Sequence, residues 1–556
     1  MPQNDAVEIN IALRPASAAT ATLDVAMLMH SLTNAQDQAF GGPRSKLLTA
    51  DTWPADLAGL GIVDGEPAYE TTQAHFGQAY VPDRAYLGRR GKDIAQVWTV
   101  SVPSVPADGV YAIVVNGTPY SFTASSSTQA AVRTGLITAC SPGAAVFTAA
   151  AGIAAGAITL TAVTPGVALT VLVTSPASSM TAAVTTGTKI AAVAQVWTMT
   201  IVTATLGVYT LTATTTTGQK TYQHIATTGA TTTTIRDAIK ALYDANSSDL
   251  FGATMTSVAA NQGTLTASLA GRPGTVSITS PLSDATTVVT TANYGIADDI
   301  TALIDANPNW YMLVPGTRVA AELLLACERI EATQDTTAPK ACLVQTSDAN
   351  TLTDAAGNVL GTLQARSYLR SGGGYHAIDS EGFMAAAAGF VLPNHVGSVS
   401  WFWKPLVGLT PSAFTSSSSS ANLRSNEGWF LERFEARNQD VINGGFSFRG
   451  VPMDIIRAID TFQLDCGSAL LDLLINTLIV PYTNIGLSQV KGVIVSQFNL
   501  AVDAGYAVAG TLVMNDPKIA DASGNDQSRG IFPPFDISFE IQAGASKITV
   551  NATVSQ

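Results

Sequence analysis

The feature that most constrains this chain is an internal duplication. Ala95-Gln96-Val97-Trp98-Thr99 recurs as Ala194-Gln195-Val196-Trp197-Thr198, and the residues that follow keep step. Gly109-Val110-Tyr111 matches Gly207-Val208-Tyr209, and Pro119-Tyr120-Ser121-Phe122 matches Thr221-Tyr222-Gln223-His224. Thr159-Leu160-Thr161-Ala162 matches Thr264-Leu265-Thr266-Ala267. A segment that occurs twice is a unit that folds twice, and two copies are too few for a stacked array. Each unit reads strand, strand, short helix, then two more strands. The helix is clearest in the second copy over 234–246, with Ile235, Ile239 and Leu242 on one face. Thr233 or Thr234 is its expected N-cap, with Asp237 in the first turn. Two tandem β-rich α+β modules, 93–192 and 193–294, are therefore expected. Their threonine runs at 214–217 and 231–234 suit a β-former that tolerates water.

The duplication sits inside a chain whose two ends read as lone strands. Val7, Ile9, Ile11 and Leu13 alternate with polar or small residues, as do Ile537, Phe539 and Ile541, then Ile548, Val550, Ala552 and Val554. Period-two alternation marks a strand with one buried face. Termini fray unless something ties them down, so such ends call for sheet partners in the same chain or in a neighbouring copy. The expected organisation is an N-terminal strand arm and hinge at 1–22, with 15–22 as the hinge, and a short core segment at 23–92. The two modules follow, then an α/β core at 295–530 and a C-terminal strand arm at 531–556.

The α/β reading of the second half rests on pattern. A short helix is expected at 300–306. Trp310-Tyr311-Met312-Leu313-Val314 is a buried strand stopped by Pro315. An amphipathic helix over 318–332, its turns marked by Ala321, Leu324, Leu325, Glu328 and Ile330, leads to a strand at 340–345. Strand, helix, strand at this spacing is a parallel βαβ unit. An Ala-rich helix is expected over 383–391. A long helix is expected from Pro452 or Met453 to about Leu478, with Ile455, Ile456, Ile459, Phe462, Leu464, Leu470, Leu471, Leu474 and Ile475 as one wide apolar face. The serine run at 416–420 reads as a low-complexity loop.

Composition narrows the function classes. The 556 residues exceed one core and suggest three or four domains. With 47% hydrophobic and 12% charged residues the chain is expected to fold. A surface so poor in charge suits either an assembly, whose subunits cover one another, or an extracellular β-protein. A net charge of −13 with no Lys/Arg cluster among aromatics speaks against nucleic acid. Cys140, Cys327, Cys342 and Cys466 show no CxxC spacing and read as buried thiols of a reducing compartment. No secretory signal opens the sequence, and the longest apolar stretch, 469–482, is too short for a bilayer. Synthesis in the cytoplasm, with no membrane partner, is the expectation.

No catalytic or metal site is expected. His30, His75, His224, His376 and His395 lack partners at metal-ligand spacing. His376, Asp379 and Glu381 lie close together, but a loop with Asp379 or Ser380 as N-cap explains them. Gly372-Gly373-Gly374 lacks the ending of a phosphate loop and reads as a flexible turn. The run 521–526 fails the EF-hand pattern and reads as a polar hairpin tip. Trp401 and Trp403 alternate around Phe402, which would put both on one side of a strand for packing. No cofactor is expected, and a hydrolase would need paired carboxylates that the sequence does not offer.

From 295 onward the order of elements resembles the tail-sheath proteins of contractile-tailed bacteriophages, in particular a divergent sheath-like group of myophages. The residues that carry this are Trp310 to Val314, Gly372-Gly373-Gly374-Tyr375-His376, and Trp401-Phe402-Trp403-Lys404-Pro405-Leu406-Val407-Gly408-Leu409. With them go the stretch 426–429, Arg449-Gly450-Val451-Pro452-Met453-Asp454-Ile455-Ile456-Arg457, and the terminal strand segment. The resemblance covers about half the chain together with the first thirty or so residues, and not the modules. It implies an α+β multidomain protein with an α/β sheath core, the modules inserted as outward domains. The implied role is a non-enzymatic virion subunit, polymerising helically around an inner tail tube and contracting during infection. Its implied partners are further copies of itself and the tail tube, baseplate and tail terminator proteins. Val7, Ile9, Ile11, Leu13, Ile537, Phe539, Ile541, Ile548, Val550 and Val554 are then the inter-subunit strand residues. The alternatives are another virion part, such as a tube or baseplate protein, or a surface adhesin carrying Thr-rich modules.

Overall fold

A computed structural model of the chain describes residues 9–10, 23–33, 36, 39–40, 43–93, 95–104, 106–143, 146–163, 169–176, 179–186, 189–190, 193–215, 218–245, 255–267, 274–291, 294–334, 339–414, 417–434 and 437–542. It is a mixed α+β protein with two compact units. One comprises Met1–His30, Ser45–Gly88 and Leu303–Gln556, the other Ser31–Arg44 and Arg89–Ala302.

The first unit is built on a six-stranded sheet in the order Ser371–Tyr375, Ala341–Thr346, Met312–Pro315, Ala26–His30, Arg84–Arg89, Ser45–Thr49. The first four strands run parallel, with Leu343 opposite Gly372, Leu313 opposite Cys342 and Met27 opposite Leu313. Residues 25–29 and 310–314 are all buried, as a parallel sheet covered on both faces requires. The expected βαβ unit is present, with helix Ala320–Glu331 between Met312–Pro315 and Ala341–Thr346. Its phase differs from the expectation. Leu323, Ala326, Cys327 and Ile330 are the buried positions, one step from the set read off the sequence. Three consecutive leucines at 323–325 make the apolar stripe ambiguous, and contact with the Ala341–Thr346 strand decides it.

The glycine run is a strand and not a flexible turn. Ser371–Tyr375 is wholly buried. A Cβ at Gly374 would lie 2.0 Å from the Trp429 carbonyl oxygen, and one at Gly373 would lie 2.3 Å from that of Val344. These glycines serve close backbone approach. The same device joins two helices. Phe383–Val391 packs on Pro67–Phe76, and a Cβ at Gly389 would lie 2.0 Å from the His75 carbonyl oxygen. The N-cap of Phe383–Val391 is Gly382, not Asp379 or Ser380.

Three further local expectations change. The serine run begins a helix, Ser417–Ser425, anchored by buried Leu423 and by the Asn422 amide donating to the Leu352 carbonyl at 2.8 Å. Trp401 is buried against Trp429, whereas Trp403 is 46% exposed at φ +58, because the segment turns there instead of running on as a strand. The run at 521–526 is a helical turn followed by the short helix Gly524–Arg529, capped by Ser523.

The second unit contains the two modules, and they share one topology in more detail than the sequence match announced. Among the described residues the two sheets of each module hold seven strands, with a helix between the third and fourth, and in the first module the short strand Lys189–Ile190 pairs apart from them with Lys92–Asp93. In the first module the strands are Val97–Ser101, Gly109–Val115, Thr118–Ala124, Phe147–Ala151, Ala157–Ala162, Val171–Thr174 and Thr181–Thr186, with helix Gln129–Cys140. In the second they are Val196–Ile201, Gly207–Thr215, Gly218–Ala226, Met255–Ala259, Gln262–Thr266, Gly274–Thr279 and Ala285–Thr291, with helix Thr232–Asp244. Both form a four-stranded sheet in the order seventh, first, fifth, fourth and a three-stranded sheet in the order sixth, second, third. All pairs are antiparallel. The expected two-plus-two strand count is thus too low, because the short Thr/Ala strands alternate too weakly to be read singly.

The turns repeat as well. Gly109 and Gly207 take φ +136 and +134, and a Cβ on either would meet Pro176 at 2.7 Å or Pro281 at 2.6 Å. The Ser175 hydroxyl accepts from the Met180 amide at 3.0 Å, and that of Ser280 from the Ala285 amide at 3.1 Å. Thr174-Ser175-Pro176 and Thr279-Ser280-Pro281 are the sequence trace of this device. The helix of the second module is capped by Thr231 rather than Thr233 or Thr234, and it buries Ile235, Ile239 and Tyr243 while Leu242 faces outward. Asp237 pairs with Arg236.

Candidate assembly surface

The strand ends converge on one small sheet in the first unit. Ile9–Asn10 pairs antiparallel with Asp536–Ser538, which pairs in turn with Val513–Met514, so the C-terminal strand lies in the middle. Ile9 stands opposite Ile537 and Asn10 opposite Asp536. The ladder runs on as a bridge between Ala507 and Ile541, with the Val508 amide donating to the Glu540 carbonyl and the Gln542 amide to that of Tyr506, both at 2.9 Å. Asn515 fixes the register at the other end. Its side-chain oxygen accepts from the Asp536 amide at 3.0 Å, and its amide donates to the Asp536 carboxylate at 3.0 Å.

The alternation at the C-terminus has a cause inside the chain. Ile537 and Phe539 are buried on a pair of helices, Met453–Asn476 and Asn484–Asp503, while Glu540 is exposed. The Phe539 ring lies 4.7 Å from Phe462 and 5.4 Å from Phe498, both edge-on. Of the strand residues singled out above, the structure brings Ile9 and Ile537 together, buries Phe539 and half-buries Ile541 beside them. Val7, Ile11, Leu13, Ile548, Val550 and Val554, and the hinge at 15–22, lie outside the described residues.

The helix that carries this sheet is tied to the α/β layer by a desolvated ionic network that sequence reading missed. Asp460 and Arg370 form a buried ion pair, and the Tyr311 hydroxyl donates to the Asp460 carboxylate at 2.7 Å. Arg370 also donates to the Lys340 carbonyl at 2.6 Å, and the Lys340 ammonium donates to the carbonyls of Pro308, at 2.6 Å, and Trp310. Burial, then the Arg370 charge, lowers Lys340 to about 8. Arg457 donates to the Val391 and Leu392 carbonyls at 3.2 and 2.8 Å and so caps the Ala-rich helix. Burial lowers its pKa to about 10. The signal that could have flagged this network is the placement of Arg457 and Asp460 among the apolar positions of the long helix.

Burial raises the Cys466 thiol to about 12 and pushes Tyr506 upward, so both are neutral near pH 7. His376 donates from Nε2 to Glu381 at 2.7 Å, and Glu381 also accepts from the Thr410 amide and hydroxyl at 2.7 Å, which makes the trio a loop clamp. Among the described residues, His, Cys, Asp and Glu form no group of three able to hold a metal, and no helix is long and apolar enough to cross a membrane.

No family model and no curated protein matches the chain. Among solved structures, a sheath tail protein of Listeria innocua is similar over 94% of this chain and 93% of its own, at 8% identity and a TM-score of 0.43. The anti-feeding prophage helical sheath in its contracted state is similar over 47% of this chain and 74% of its own, at 13% identity and a TM-score of 0.36. The sheath complex of an extracellular contractile injection system, also contracted, is similar over 46% and 74%, at 12% identity and a TM-score of 0.36.

Proposed function

We propose that the chain is a structural subunit of a bacteriophage contractile tail sheath, stacked helically around an inner tube and made in the host cytoplasm. The observation that carries this reading is the meeting of both chain ends in one small sheet anchored on the long helices. The Ile9–Asn10 strand contributes two residues of pairing. Its replacement by the same strand of a neighbour would exchange identical hydrogen bonds, the condition under which strands swap between copies at low cost. The C-terminal strand cannot leave so readily, because Ile537 and Phe539 are buried on its own helices. The N-terminal strand is therefore the arm that travels, and its contacts repeat head to tail into an open helical polymer. In this reading the modules are outward decoration, and tube, baseplate and terminator proteins are the partners.

Deletion of residues 1–15 tests the proposal. The expected result is a folded chain that forms no tubes by negative-stain microscopy; normal tubes from the truncated chain would refute the role of the arm.

A further inference from the structure

The wide apolar face of the long helix is buried only in its first two-thirds. Met453, Ile456, Phe462, Cys466 and Leu470 are buried. Beyond them the side chains open to solvent. Ile475 is 69% exposed, Ile479 74% and Ile485 69%, Leu478 is fully exposed and Leu474 about half so. These five cluster at the turn where helix Met453–Asn476 gives way to Asn484–Asp503. Among the described residues nothing covers them.

The tip is rigid. Tyr482 stacks on Phe532 at 5.2 Å and donates to the Ile531 carbonyl at 3.0 Å. The Thr477 amide donates to the Leu473 carbonyl at 3.2 Å, and that of Thr483 to the Pro481 carbonyl at 2.8 Å. Gly486 is pressed so close that a Cβ would stand 2.0 Å from the Pro481 oxygen. An exposed aliphatic cluster held by such contacts has the character of a contact surface.

Two observations say what covers it. Residues 473–490 carry no charge, in a chain whose net charge is −13. Two equally acidic copies can meet here without setting like charges against each other within the patch. Five side chains are also a small part of the roughly 20–30 residues that each partner brings to a stable interface. Such a contact is weak between two copies and accumulates only when repeated along a polymer. We infer that the tip at 474–485 docks onto a second copy of this chain, as a repeated apolar contact within the assembly. The inference rests on the sheath reading for its repetition and not for its partner.

The test uses the full chain. The double variant Leu478→Glu, Ile479→Glu should unfold at the wild-type midpoint, because both positions are solvated. Its threshold concentration for assembly, followed by light scattering, should rise at least tenfold. An unchanged threshold overturns the inference. A benzophenone side chain placed at position 478 should, on illumination of the purified protein, give covalent dimers whose yield falls on dilution. Crosslinks confined to a single chain would show the tip covered by its own residues and would overturn the inference. If the wild-type protein forms no tubes, the sheath reading fails, while the dilution series of crosslinked dimers still decides what this surface binds.

Discussion

The inserted modules and the α/β unit enclose their cores in different ways. The hydrophobic cluster at the heart of each module is aliphatic and aromatic, Val100, Tyr111, Ile113, Leu136, Phe147 and Ile158 in one, Trp197, Met199, Tyr209, Leu211, Ile235 and Leu265 in the other, and among the described residues of the modules Arg236 is the one buried charge. Backbone devices hold these cores in shape, and the Gly–Pro contact and the serine hydrogen bond appear twice. The α/β unit buries several charges and a neutral histidine. Arg370, Asp460, Lys340, Arg457 and His75 are each no more than 5% exposed. In a unit specified by buried polar partners, each partner left alone is a desolvated group without compensation.

The contrast can be broken by mutation, most severely in the α/β unit. Asp460→Asn leaves the Arg370 guanidinium buried without its counter-charge, and the expected loss is about 3–5 kcal/mol by denaturant unfolding. A loss below about 1 kcal/mol would show that the ionic core is not what sets this unit apart.

His75 comes next. It is fully buried, its Nδ1 donating to the Ala385 carbonyl at 3.1 Å, and burial lowers its pKa from 6.5 to about 4. The folded pKa lies below the unfolded one, so the stabilisation is complete above pH 6.5 and is lost as pH falls from 6.5 towards 4. The expected loss is on the order of 3 kcal/mol. His75→Leu should remove that part of the pH dependence, measured as the difference between wild-type and variant stability curves, while melting of the modules stays the same in both.

In the modules, Gly109→Ala and Gly207→Ala should each cost about 1–3 kcal/mol, confined to the unfolding transition of the module concerned. Unequal costs would show that the duplicated turn no longer does the same work in both copies. Thr231→Ala removes a reciprocal capping box and should cost about 1 kcal/mol. Thr128→Ala, whose side chain accepts one amide, should cost less. The smallest effect concerns assembly. Removal of 93–294 should leave tube formation intact if the modules are outward decoration, and loss of tubes would place them in the wall.

Much of the fold was legible where residues interact with near neighbours. The βαβ unit, the Ala-rich helix and the long helix follow from period and punctuation. The duplication was readable from Ala95-Gln96-Val97-Trp98-Thr99 and its copy, though the weak alternation of the Thr-rich strands hid three of the seven strands in each module. Errors arose where a local signal had two uses. Gly372-Gly373-Gly374 signals freedom in isolation and close packing beside Trp429. The serine run signals a loop until Leu423 finds a core. Trp403 alternates with Trp401 on paper, but the chain turns at φ +58.

The terminal strands divide along the same line. The alternation of Ile537, Phe539 and Ile541 by itself determined that one face of this segment is buried, because period two admits no other regular structure. Which surface buries it was decided only by the tertiary structure, where Phe462 and Phe498 meet the Phe539 ring from two helices. The apolar run from Leu470 to Ile479 makes the opposite case. Its composition foretold burial, and the fold leaves its end in solvent. Sequence determines how much apolar surface a segment has to hide, whereas only the packing of distant elements decides how much of it the chain can hide by itself.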